Sequence, residues 1–148
     1  MELADIHQGI DATLNLLKSR FNEQIILTKN YDQSIGLFKC HLGQLNQVFM
    51  NLFSNALDAI EEKGEIVITT KNQGDSVKIS IKDNGKGITE EEISKIFDPF
   101  FTTKEIGRGI GLGLSISHRI INDHGGTISV VSDQKKETRF DIIIPIIK

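Results

Sequence analysis

Asn51 and Asn55 stand four residues apart in the run Asn51-Leu52-Phe53-Ser54-Asn55-Ala56-Leu57-Asp58-Ala59. On a helix that spacing puts both amides on one face, with Gln47 and Asp58 along the same stripe. An amide oxygen can complete the shell of Mg²⁺, an ion that keeps several waters and takes phosphate oxygens as its other ligands. Because the amide is neutral, it adds no negative charge beside a polyphosphate. A solvated helix face would show the same stripe, so the spacing alone does not separate the two. A second candidate is Asp83, followed by Asn84-Gly85-Lys86-Gly87. Asp-Asn-Gly is an ordinary turn signal; alternatively, the carboxylate accepts a hydrogen bond from the exocyclic amino group of adenine. Gly85 and Gly87 would then let the backbone pass close to the base with no Cβ in the way.

A third cluster, Gly107, Gly109, Gly111 and Gly113, precedes a helical pattern. Glycines ahead of a helix expose backbone N–H groups and a positive dipole end to phosphate. The cluster lacks the lysine and Ser/Thr of a Walker loop and is not embedded in a βαβ unit. A flexible connector also tolerates four glycines, but it leaves Leu112 and Leu114, which alternate with the last of them, unexplained. Phe97-Asp98-Pro99-Phe100-Phe101 lies between the two glycine runs. Together and in this order, the pieces describe a nucleotide pocket with a movable cover.

Hydrophobic periodicity supplies elements to position these groups. Ile6, Ile10, Leu14, Leu17 and Phe21 mark one stripe of a helix over residues 5–22. Residues 24–29 and 36–40 read as short strands, and 43–62 as a second helix with Leu45, Val48, Leu52, Phe53, Ala56 and Ile60 inward. A strand begins at 66–68, and residues 72–75 form a turn. Val77, Ile79 and Ile81 alternate with Lys78, Ser80 and Lys82 in a half-buried strand. Thr89 and Glu92 make a capping-box pattern. A helix runs from near Gly111 to His124 and stops at Gly125-Gly126, followed by strands near 127–132 and 138–146. This order predicts an α/β two-layer sandwich, one mixed sheet covered on one face by helices.

With 148 residues, the chain is expected to form one domain. Its 39% hydrophobic and 25% charged residues are ordinary for a globular protein. A net charge of -3 offers no basic surplus for nucleic acid. No apolar run reaches membrane-spanning length, so no direct membrane contact is expected. Cys40, the single cysteine, permits neither an internal disulfide nor a cysteine-cluster metal site and reads as a buried thiol. A cytoplasmic setting follows, with any membrane anchor on a parent protein.

On these residues the chain resembles the ATP-binding catalytic domain of sensor histidine kinases, within the superfamily shared with DNA gyrase, mismatch-repair ATPases and a heat-shock chaperone. Asn51 to Ala59 is similar to the asparagine box, Asp83 to Ile88 to the first glycine box, Phe97 to Lys104 to the phenylalanine box, and Gly107 to Leu114 to the second glycine box. His124-Gly125-Gly126, Thr138-Arg139-Phe140 and Ile144-Pro145 resemble the closing segment. The resemblance covers residue 20 to the end. It implies a Bergerat-type fold, a mostly antiparallel sheet, and ATP and Mg²⁺ as cofactors. Asn55 would be the metal ligand, Asp83 the adenine reader and Thr138 a secondary contact near the base. Asp58, Gly85, Gly87, Ile88 and Phe97 would complete the nucleotide contacts on that side. The segment from about 97 to 110 would be the ATP lid, with Lys104 and Arg108 near the phosphates. Gly109, Gly111, Leu112, Gly113 and Leu114 would frame the phosphate end. Lys135-Lys136-Glu137 stand where the family usually has glycine.

In the relatives that activate water or serine, a glutamate four residues before the metal asparagine acts as base. Here that position is Asn51, which takes no proton at neutral pH. A hydroxyl or water nucleophile benefits from such a base, whereas a neutral imidazole is already nucleophilic. Asn51 and Asn55 are therefore the candidate catalytic pair of a protein histidine kinase. The family's acceptor histidine precedes an acidic residue, and His7, His41, His118 and His124 have no such neighbour. The expected partners are a separate dimerisation domain carrying the acceptor and a downstream response regulator. The alternatives are a non-catalytic nucleotide-binding module that regulates a partner, and a gyrase-type ATPase; Asn51 and the phenylalanine box disfavour the latter.

Overall fold

The computed structural model describes residues 1–97, 112–133 and 137–146, with only the backbone of 112 and 113. Of the expected lid, about 97 to 110, all but Phe97 lies outside the described residues, as do Gly111 and the Lys135-Lys136 pair. The elements run β1 (Glu2–Ala4), α1 (Ile6–Leu16), a 3₁₀ turn (Lys18–Arg20), β2 (Ile25–Asn30), β3 (Phe38–Cys40), α2 (Leu42–Ala59), β4 (Gly64–Asn72), β5 (Ser76–Asp83), α3 (Glu90–Ile93), α4 (Leu112–Asp123), β6 (Thr127–Asp133) and β7 (Glu137–Pro145).

Among the described residues five strands form one sheet in the order β2-β4-β5-β7-β6. Only β2–β4 is parallel; the other three pairings are antiparallel. This is the mixed, mostly antiparallel sheet expected from the sequence. In β5, Val77, Ile79 and Ile81 are buried while Lys78, Ser80 and Lys82 are not, so the alternation marks the face that the helices cover. Ile66 and Ile68 of β4 join Phe140, Ile142 and Ile144 of β7 on that face. Against them α2 buries Leu45, Val48, Phe49, Leu52, Phe53, Ala56 and Leu57, each large side chain contributing about 1.5–3 kcal/mol.

Two ends differ from the sequence expectation. Helix α1 stops at Leu16, and Leu17 closes it with φ near -99° and ψ near 5° before the 3₁₀ turn. Leu17 and Phe21 still pack against the core. A 3₁₀ continuation delivers the same stripe as a longer α-helix, and periodicity does not distinguish them. At the N-terminus, β1 pairs antiparallel with β3, Glu2 opposite Cys40 and Ala4 opposite Phe38. Three residues are too few to show alternation, and the partner that makes them a strand is far along the chain. The stop of α4 is as expected: Gly125 takes φ near 76°, and the Gly126 and Gly125 N–H groups donate to Ile121 O (3.0 Å) and Asn122 O (2.9 Å). That pattern is a Schellman cap.

Candidate functional site

Strand β5 ends at Asp83, in phase with Ile79 and Ile81, so its carboxylate points into the layer between sheet and helices. Only 4% of the residue is exposed. Directly opposite stand Ile66 on β4 and Thr138 on β7, and Thr138 in turn faces Ser132 on β6. Thr138 is buried as well. The Gly85 N–H donates to Asp83 Oδ1 at 2.9 Å. Burial drives the carboxyl from 3.8 up to about 6; the Gly85 hydrogen bond opposes this, and the nearby Glu137 carboxylate adds to it. An ionisable group raised by burial at the end of a strand is a functional-site candidate.

The loop after Asp83 is fastened to its surroundings. Asn84 Oδ1 accepts from the Glu65 N–H at 2.7 Å, and the Lys86 N–H donates to Ala59 O at 3.1 Å. A Cβ at Gly85 would lie 2.5 Å from that same Ala59 carbonyl oxygen. Gly85 was expected to make room for a base; the contact that requires glycine is with the last turn of α2. Gly87 adopts φ near 75°, the left-handed region that favours glycine. The Ile88 N–H donates to Ser132 Oγ at 2.7 Å. The loop thereby joins the end of α2 to the tip of the β6–β7 hairpin.

On α2 the asparagine pair divides. Asn51 Nδ2 donates to Ser117 Oγ of α4 at 3.1 Å, and Ser117 is fully buried. Asn55 is half-buried and its amide makes no hydrogen bond among the described residues. Asp58, expected among the nucleotide contacts, is exposed and pairs with Arg20 Nη2 at 2.6 Å. Phe97 packs against the core, its ring 5.4 Å from that of His118 on α4. Leu114 is partly buried on α4. That helix begins at Leu112, so Gly113 is its second residue rather than part of the approach to it. Lys104, Arg108, Gly109 and Gly111 lie outside the described residues.

Among the described residues no three His, Cys, Asp or Glu side chains gather to hold a metal. The donor available is the free amide of Asn55. One neutral oxygen suits Mg²⁺ that arrives with a polyphosphate and keeps its waters; it does not suit a metal caged by protein. The candidate groups are thus a buried carboxylate opposite Thr138 and an amide one helical turn before Ala59, with the glycine loop joining their two elements.

Sequence reading missed Ser132, Ser117 and Arg20. Ser132 had a legible signal: it continues the inward phase Ile128–Val130–Ser132 of β6, placing a hydroxyl where an apolar side chain belongs. Ser117 and Arg20 had none, since their partners come from elements distant in sequence.

Residues 41–148 match the family described as histidine kinase-, DNA gyrase B-, and HSP90-like ATPase. Sensor histidine kinase ZraS of Escherichia coli O157:H7 is 37% identical over 147 residues, covering 99% of this chain. The chain spans 32% of that relative's length. Among solved structures, the catalytic domain of histidine kinase ThkA superposes with a TM-score of 0.87 at 32% identity, covering 100% of both chains. Histidine kinase ThkA in complex with response regulator protein TrrA gives a TM-score of 0.82 at 31% identity, over 98% of this chain and 41% of that one.

Proposed function

The chain belongs to the histidine kinase-, DNA gyrase B-, and HSP90-like ATPase family, and from that premise we propose that it binds Mg·ATP and transfers the γ-phosphoryl group to a histidine on a separate dimerisation domain. The observation that carries this reading is Asp83, a buried carboxylate with one accepted hydrogen bond at the end of a strand, opposite the hydroxyl of Thr138. An anionic acceptor held there suits the amino group of adenine. The N-terminus of α4 would meet the phosphates with its N–H groups and dipole, and Asn55 would hold the metal. Bound Mg²⁺ would neutralise charge on the phosphates during transfer.

Asn51 favours imidazole as acceptor. Its amide donates to Ser117, and a neutral amide accepts no proton from a hydroxyl or a water. The chain's part is then to orient the nucleotide and keep its donors aimed at the phosphates; positioning supplies much of the rate in phosphoryl transfer. The phosphorylated histidine would serve a response regulator, the kind of partner seen with the ThkA kinase.

Radiolabelled ATP tests the proposal. The chain alone should gain no stable label. With a matching dimerisation domain added in trans, label should appear on that domain's histidine in acid-labile form. Stoichiometric label on residues 1–148 would overturn the reading, and nucleotide binding without transfer would point instead to a regulatory module.

A further inference from the structure

We propose that Ser132 is a positioning residue that fixes the hydroxyl proton of Thr138, so that the base end of the site presents hydrogen-bond acceptors only and selects an amino-bearing purine over its carbonyl analogue. The proposal rests on the reading that Asp83 and Thr138 face the base of a nucleotide, and it adds the reason for their polarity.

The single proton of Ser132 sets the direction of every bond around it. Ser132 Oγ lies 2.7 Å from Ile88 N, 2.9 Å from Glu137 O and 3.0 Å from Thr138 Oγ1. A hydroxyl has one proton and two lone pairs. The Ile88 N–H can only donate, so it takes one lone pair. The Glu137 carbonyl can only accept, so two oxygens 2.9 Å apart require the Ser132 proton between them. Ser132 then has no proton left for Thr138, and the contact between the two hydroxyls is made by the Thr138 O–H donating to the second lone pair of Ser132. Every valence of Ser132 is used.

Thr138 consequently turns its proton toward β6 and leaves only lone pairs for a ligand. Its opposite neighbour on β5 is Asp83, whose ionised carboxylate also only accepts. Side chains directly opposite on antiparallel strands have Cβ atoms about 5 Å apart, so the two acceptors are adjacent. An exocyclic amino group carries two N–H donors and satisfies both. A carbonyl oxygen at the same position meets lone pairs on each side and is refused. Ser132 does this without touching the ligand, from a strand position otherwise in phase with the apolar Ile128 and Val130.

The test compares ADP with inosine diphosphate, which carries oxygen in place of the adenine amino group, by calorimetry at pH 8 on the whole chain. The unaltered protein should prefer ADP. In Ser132→Ala the Thr138 hydroxyl is free to donate, so inosine diphosphate should gain and ADP lose, lowering the ADP preference by about tenfold. Loosening of the glycine loop alone would weaken both nucleotides together and leave their ratio unchanged. Ser132→Thr, which keeps the hydroxyl on a side chain suited to a strand, should restore the preference. Thr138→Val, close in shape, should weaken ADP with no gain for inosine diphosphate, and it decides the matter should Ser132→Ala fail to fold. A folded Ser132→Ala, or Thr138→Val, with the unaltered ratio overturns the role of Ser132 and leaves the adenine reading standing. Equal affinities in the unaltered protein overturn the adenine reading and this proposal with it.

Discussion

Replacing Asp83 by asparagine should make the empty protein more stable while weakening its nucleotide. The carboxyl is raised from 3.8 to about 6, burial being the main cause. Two units at 1.36 kcal/mol each mean that holding the ionised form in the folded state costs about 3 kcal/mol. The folded state binds this proton more tightly than the unfolded chain, so the cost is absent below about 3.8, grows through the window up to 6, and is complete above it. Asparagine keeps an oxygen for the Gly85 N–H but brings amide protons without partners, which reduces the expected gain to about 1–2 kcal/mol. For a chain of this length that corresponds to about 2–8 °C in melting temperature. Thermal unfolding of both proteins without nucleotide should show Asp83→Asn ahead at pH 8, close to parity at pH 5 and behind by about 1 kcal/mol near pH 4, because the amide penalty does not titrate. Calorimetry at pH 8 should show ADP weakened by about 1.5–3 kcal/mol, the range for losing a charge-assisted hydrogen bond. An Asp83→Asn protein no more stable than the original at pH 8, or a gain that does not shrink with acid, would refute the reasoning.

Asn55→Ala should abolish phosphoryl transfer in trans yet move stability by no more than about 0.5 kcal/mol, because the amide has no partner among the described residues; a large drop in urea midpoint would mean that Asn55 is structural. Gly85→Ala should cost about 1–3 kcal/mol, since the added methyl meets the Ala59 carbonyl at 2.5 Å; unchanged unfolding would show that the loop yields freely. ATP should slow amide exchange across residues 98–110, and equal exchange with and without nucleotide would remove the lid assignment. The expectation comes from composition alone: Pro99, Gly107 and Gly109 stand in that stretch among few aliphatic side chains.

Much of this protein was legible along the chain. Val77–Ile79–Ile81 named the covered face of β5, the apolar stripe of α2 named its inner side, and Gly125-Gly126 named the stop of α4. In each case the signal is local, because burial repeats with the period of the element that carries it. Asp83 at the strand end and the Asn51/Asn55 spacing were equally plain as residue types at positions. What they are joined to was not. The order β2-β4-β5-β7-β6, the β1–β3 pairing, the Arg20–Asp58 ion pair and the bond from Asn51 to Ser117 each bring together residues 38 or more apart, or strands whose partner no periodicity identifies. Gly85 was visible as a glycine, but the Ala59 carbonyl that requires it comes from another element. The raised proton affinity of Asp83 and the direction of the Thr138 hydroxyl belong to neither residue alone. They arise where the ends of β5, β6 and β7 exclude water and share hydrogen bonds, and only the closed tertiary structure decides how much solvent a carboxylate loses and which lone pair is left for a proton.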